Sequence, residues 1–158
     1  MRTGKVVKRV IAPDPRYGSK LIGKFINRVM RDGKKSTAAH LVYKALELIK
    51  EQSGDDPVVV FEKALLNVAP KMEVRPRRVG GASYQVPVEV RGDRKETLAI
   101  RWIIASAEAK PNKEFHSFAQ KLAAEILDAS NNAGGAIKKR DDVLRMANAN
   151  RAFAHFRW

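Results

Sequence analysis

The chain has 158 residues, and 31 Lys plus Arg against 17 Asp plus Glu leave a formal charge of +14 with a pI near 10.3, which excludes a neutral metabolic enzyme as the default reading. At 44% hydrophobic it can build one core of normal size, since a domain of about 150 residues buries roughly two-thirds of its unfolded surface, and one domain over residues 1–158 is expected. Short apolar runs such as Val58–Phe61 exclude a membrane span, the basic first residues lack the apolar segment of a secretory signal, and the absence of cysteine excludes disulfides and thiolate chemistry.

Residues 1–18 carry Lys5, Lys8, Arg9 and Arg16 with Pro13 and Pro15, show no periodicity, and read as an extended basic arm. From Ser19, a cap candidate, Leu21, Ile22, Phe25, Ile26, Val29 and Met30 form one helical stripe that stops near Asp32-Gly33. Ser36 is expected to cap a second helix, in which Ala38, Leu41, Val42, Ala45, Leu46 and Ile49 keep helical spacing to about Gln52. Asp56-Pro57 opens a short third helix lined by Val58, Phe61, Leu65 and Val68 and ended by Pro70.

The period then drops to two. Met72 and Val74 alternate with Glu73 and Arg75, and Tyr84, Val86, Val88 and Val90 alternate with Gln85, Pro87 and Glu89, so residues 71–91 form a β-hairpin with its tip at residues 77–82. Pro76 and Pro87 lack a ladder donor, which makes both strands edges of a ribbon expected to stand alone and to need an outside partner for full order. Asp93 with Glu96 suggests a capping box for a fourth helix, apolar nearly all round from Leu98 to Ala107 and expected to be the central one. Phe115, Phe118, Ala119, Leu122, Ala123, Ile126 and Leu127 mark a fifth, ending by Asn131. After Gly134-Gly135, a sixth helix sets Ile137, Leu144 and Ala147 against Lys138, Lys139, Arg140 and Arg145, and the tail 151–158 interleaves aromatic and cationic residues. The fold class is therefore mainly α: a single-domain bundle of about six helices with a projecting two-stranded hairpin arm between helices three and four, a basic N-terminal arm and a C-terminal tail.

Charge is unevenly distributed along this chain. Residues 1–35 hold 11 basic and 2 acidic groups, residues 71–95 hold 7 and 3, and residues 131–158 hold 6 and 2, whereas 36–70 and 96–130 are slightly acidic. Cations concentrated at the start, the hairpin and the end favour a polyanion, because each Lys or Arg placed on a phosphate releases condensed counterions. A merely solubilising surface would not need arginines, which fork onto phosphate and stack on bases, in the hairpin beside paired glycines. Phe153, Phe156 and Trp158 suit either core packing or stacking on unpaired bases.

Catalysis is poorly supported. His40, His116 and His155 lie on separate elements, the first two in helices, with no nucleophile spaced to meet them and no metal-binding pattern. Asp55-Asp56 reads as a helix start, and Asp141 and Asp142 as helical ion-pair partners of Lys138 and Arg145. Gly33-Lys34-Lys35-Ser36 resembles the end of a phosphate-binding loop, but Arg28 stands where that loop needs glycine; the two lysines instead sit beside a helix N-terminus, whose free N–H groups attract phosphate. A DNA-bending architectural protein would need an apolar wedge at the arm tip, where this chain has Val79 and no proline.

Phe25-Ile26 with Gly33-Lys34-Lys35 and Leu41-Val42, the run Met72 to Ala82 followed by Tyr84-Gln85-Val86-Pro87, Leu98-Ala99-Ile100-Arg101-Trp102, and the end from Gly134-Gly135-Ala136 through Lys138-Lys139 to Ala149–Trp158 together resemble the family of the seventh protein of the small ribosomal subunit, in its bacterial form. The resemblance covers nearly the whole chain. It implies a non-enzymatic constituent of the small subunit, without cofactor or metal, that binds the 3′ major domain of rRNA, helps start assembly of the head, and lies near the exit-site tRNA, the mRNA path and the ninth and eleventh small-subunit proteins. Its implied setting is a bacterial-type cytoplasmic ribosome or the equivalent plastid particle. Carried over by position, rRNA contact falls on Lys8, Arg9, Lys34, Lys35, Arg75, Arg77, Arg78, Arg94, Lys138 and Lys139, and proximity to tRNA or mRNA on Arg78, Gly80, Gly81, Ala82, Arg151 and Trp158.

Overall fold

The computed structural model describes Gly4 and residues 11–156, so Lys8, Arg9 and Trp158 lie outside the described residues. Among the described residues, six α-helices and one two-stranded antiparallel ribbon follow one another in the expected order, with the ribbon between the third and fourth helices, and a short 3-10 helix that the sequence reading lacked occupies the tail.

Helix α1 (Lys20–Val29) buries Ile22, Phe25 and Ile26 and leaves Lys20 and Arg28 in solvent. Ser19 occupies its N-cap, but the hydroxyl caps nothing. The chain before it is tied down rather than extended: Asp14 is buried, its Oδ2 accepts the N–H groups of Arg16 and Tyr17, and its Oδ1 accepts the Tyr43 hydroxyl at 2.6 Å. The expectation of an extended arm over 1–18 is therefore corrected for residues 14–18, because a buried carboxylate must collect donors and these fold that segment onto the body.

Helix α2 (Lys35–Ser53) buries Ala38, Val42, Ala45, Leu46 and Ile49. Its N-cap is Lys34, not Ser36: a turn at Asp32 (φ 51°) lets Lys34 N–H reach the Arg31 carbonyl and Lys35 N–H reach that of Gly33, so helical geometry begins before the serine. Helix α3 (Pro57–Val68) starts as expected, with Asp56 accepting from Val58 N–H and Pro57 in the first turn. Phe61 on α3 meets Phe25 on α1 edge-on at 4.9 Å, so the first three helices share one apolar core.

Strands β1 (Met72–Val79) and β2 (Ala82–Glu89) pair from Met72↔Glu89 to Val79↔Ala82. The ladder runs farther than expected and leaves only Gly80 and Gly81 as the turn, at φ 58° and 87°, the double left-handed conformation that twists in step with the strands. Among the described residues the ribbon joins no larger sheet, as expected, but the body supports it. Val86, Pro87 and Val90 are buried at its base, where β1 and β2 pack on α6 and the 3-10 helix.

Helix α4 (Gly92–Ala109) has Arg91 at its N-cap, and Asp93 sits inside the first turn, where it complements the helix dipole without capping. The capping box lies instead at Ser117 and Gln120, which exchange side-chain and backbone hydrogen bonds to open α5 (Phe118–Ser130). Phe115 and His116 therefore belong to the preceding loop. The central helix is α5 rather than α4: eight of its 13 residues are buried, Lys121 and Glu125 among them, against six of 18 in α4.

Helix α6 (Gly134–Ala149) includes the two glycines expected to precede it. Gly134 holds φ 91°, and a Cβ there would stand 2.9 Å from Asp128 Cβ and 3.0 Å from Glu125 Oε1. That approach lets Glu125 accept Ala136 N–H at 2.8 Å, placing an acidic group at the positive end of α6. Ile137 and Ala147 are buried as expected, while Leu144 is exposed. The 3-10 helix (Arg151–Phe156) closes the described chain.

Candidate nucleic-acid interface

A cation reaches a phosphate only if no acid in the same chain already holds it, and the structure sorts the basic residues by this test. At the ribbon base Glu73, 7% exposed, pairs with Arg75 through Oε1 at 2.5 Å and with Arg94 through Oε2 at 3.1 Å. Two of the expected rRNA contacts are thus neutralised on one side and hold β1 to the start of α4. Each guanidinium is about half exposed and keeps donors for a second partner. Farther out, Arg77 and Arg78 are exposed and make no ion pair among the described residues; Gly80, Gly81 and Ala82 are exposed beyond them.

The tail joins this ribbon. Tyr84 of β2 lies 5.2 Å from both Phe153 and Phe156, and His155 lies 4.1 Å from Phe156. Phe153 and Phe156 pack half-buried on the hairpin and lie outside the main apolar core. Tyr84 pairs across the ladder with Arg77, so the cluster stiffens the strand segment beside the free arginines. Arg151 is exposed at the start of the same 3-10 helix.

On α6, Lys138 and Lys139 are exposed as expected. Arg140 is not a free cation: it donates to the Asn67 carbonyl at 2.6 Å and pairs with Asp141 at 2.7 Å, displacing the expected Lys138–Asp141 pair, while Asp142 does pair with Arg145. Lys34 and Lys35 stand exposed at the N-terminus of α2. Lys34 lines a cleft with the α4–α5 loop that contains no strand residue, so this cationic site is separate from the ribbon.

Glu73 and Tyr84, which set the arm on the body, were not among the expected site residues. The signal for Glu73 is an acid at an inward strand position between Lys71 and Arg75, and for Tyr84 an aromatic facing Arg77 across the hairpin register.

The model of the family "Ribosomal protein S7p/S5e" matches residues 1–151. The chain belongs to that family. It is accordingly a ribosomal protein, a structural constituent and not an enzyme. It is 57% identical over 157 residues to the "Small ribosomal subunit protein uS7" of Solidesulfovibrio magneticus and to that of Carboxydothermus hydrogenoformans, and 53% identical to that of Limosilactobacillus fermentum, each match covering 99% of both chains. Among the described residues no helix of this ribosomal protein is long and apolar enough to cross a membrane.

Proposed function

We propose that the chain works in the small ribosomal subunit by binding the 3′ major domain of its rRNA directly, joining separate RNA helices and so starting assembly of the head. The relatives' shared name supports the particle. The observation that carries the RNA reading is the unpaired Arg77–Arg78 pair beside a two-glycine tip, on a ribbon fixed to the body by Glu73 and by the Tyr84 cluster. A rigid cationic projection recognises folded RNA through backbone geometry and shape, and close backbone approach at Gly80 and Gly81 suits a neighbouring tRNA. Lys34, Lys35, Lys138 and Lys139 add phosphate contacts, and the tip with Arg151 faces the exit-site tRNA and the mRNA path. The ninth and eleventh small-subunit proteins are its protein neighbours.

Replacing both Arg77 and Arg78 by Glu is expected to weaken binding to a 3′ major domain transcript by about 100-fold or more, several charge contacts being reversed at once, while thermal unfolding moves by less than about 0.5 kcal/mol because neither residue packs. Unfolding that changes while RNA binding does not would make the arm a packing element and overturn the reading.

A further inference from the structure

Between the α1–α2 turn and the α4–α5 loop lies a cleft of about 490 Å³, within the range of pockets that hold small ligands. Its walls are apolar and aromatic: Ala38 and Leu41 come from α2, Phe115 from the loop and Phe118 from the start of α5. Its rim is cationic at Lys34, which no acid holds among the described residues. Lys34 and Arg31 line it and are exposed, and its one carboxylate, Glu108, is already paired with Arg31.

The loop wall is preorganised. Lys121, 8% exposed, reaches from α5 to donate to the Lys110 carbonyl and to Asn112 Oδ1, and the Lys110 ammonium stands 5.5 Å from the centre of the Phe115 ring. A buried lysine spent on holding a surface loop keeps an aromatic ring in place beside an open slot.

An apolar slot with aromatic walls and a positive mouth matches a nucleotide, which joins a flat stacking surface to a phosphate. Resting on the RNA-binding reading above, we propose that this cleft takes one unstacked nucleotide of the bound RNA, its base against Phe115 and Phe118 and its phosphate at Lys34, the rim cation that no acid holds among the described residues. An apolar peptide side chain would fill the slot as well, but it would leave Lys34 without an anion.

The test compares wild type with Thr37→Trp, which fills the slot from an exposed position on α2, and Phe115→Ala, which removes one wall. Thermal unfolding of each is checked first, and the Thr37 variant leaves the loop itself untouched. Binding to a 3′ major domain transcript is expected to weaken roughly 5- to 150-fold in both. Base-directed chemical probing should show the same single unpaired nucleotide losing protection in both, with the rest of the footprint kept. An unchanged footprint and affinity in the Thr37 variant overturns the assignment, and if that variant also fails to bind a neighbouring small-subunit protein the occupant is a peptide. Should wild type itself ignore the transcript, the RNA-binding reading falls and this site with it; should only the Arg77 and Arg78 replacements weaken binding, the cleft assignment alone falls.

Discussion

Asp14 is 4% exposed in a segment whose sequence reads as an extended arm, and its three donors show how one buried carboxylate organises a loop. The cost falls on its partner: the hydrogen bond to Asp14, then burial, push the Tyr43 phenol up from about 10 to about 12. Between those values the unfolded chain releases the proton and the folded chain keeps it, so stability present below pH 10 is lost as pH rises. Lys110 acts in the same direction. Burial lowers its affinity for the proton, but the hydrogen bonds to Asp128 and Glu125 outweigh this and leave it raised above its ordinary value. A series of melting curves from pH 8 to 12 should therefore fall steeply above pH 10. Tyr43→Phe should flatten that fall and cost about 1 kcal/mol at neutral pH, where Asp14 keeps two backbone donors. Equal alkaline slopes in the two proteins would remove Tyr43 as the source.

At the scale of elements, local signals succeed where one residue decides and fail where several compete. Asp56-Pro57 opens α3 as read, because an extended cap followed by a fixed proline admits few alternatives. Asp93 and Glu96 have the right spacing, yet the helix begins one residue before Asp93, at Gly92, and Ser117 with Gln120 forms the real capping box. The ribbon shows a stronger tertiary effect. An isolated two-stranded hairpin is marginal in water, and here Phe153 and Phe156 cover Tyr84 while α6 backs β1. Phe153→Ala should raise hydrogen-exchange rates of the β2 amides about tenfold while leaving those of α5 unchanged, since the local opening loses an aromatic contact of roughly 1 kcal/mol outside the main core. Unaltered β2 protection would show that α6 alone orders the ribbon.

For the whole molecule, the distribution of charge matters more than its sum. Glu47, Glu96 and Glu108 take Arg16, Lys24 and Arg31 into ion pairs, whereas Arg77, Arg78, Lys138 and Lys139 make none among the described residues. If six or more such cations meet phosphate, affinity for the rRNA transcript should drop by about 10³ or more between 50 and 200 mM salt, measured by filter binding or anisotropy. A flat response would exclude phosphate contact as the source of affinity. The sequence by itself determined the order and type of the six α-helices, the hairpin and the three basic blocks, because periodicity and composition are local quantities that a chain carries into any fold. The tertiary structure alone decided that α5 is central, that Glu73 reaches Arg94, that the tail aromatics seat the arm, and that Lys34 opens onto a cleft. Each of these joins residues far apart in the chain, and which acid neutralises which base depends on distances that exist only once the helices have packed.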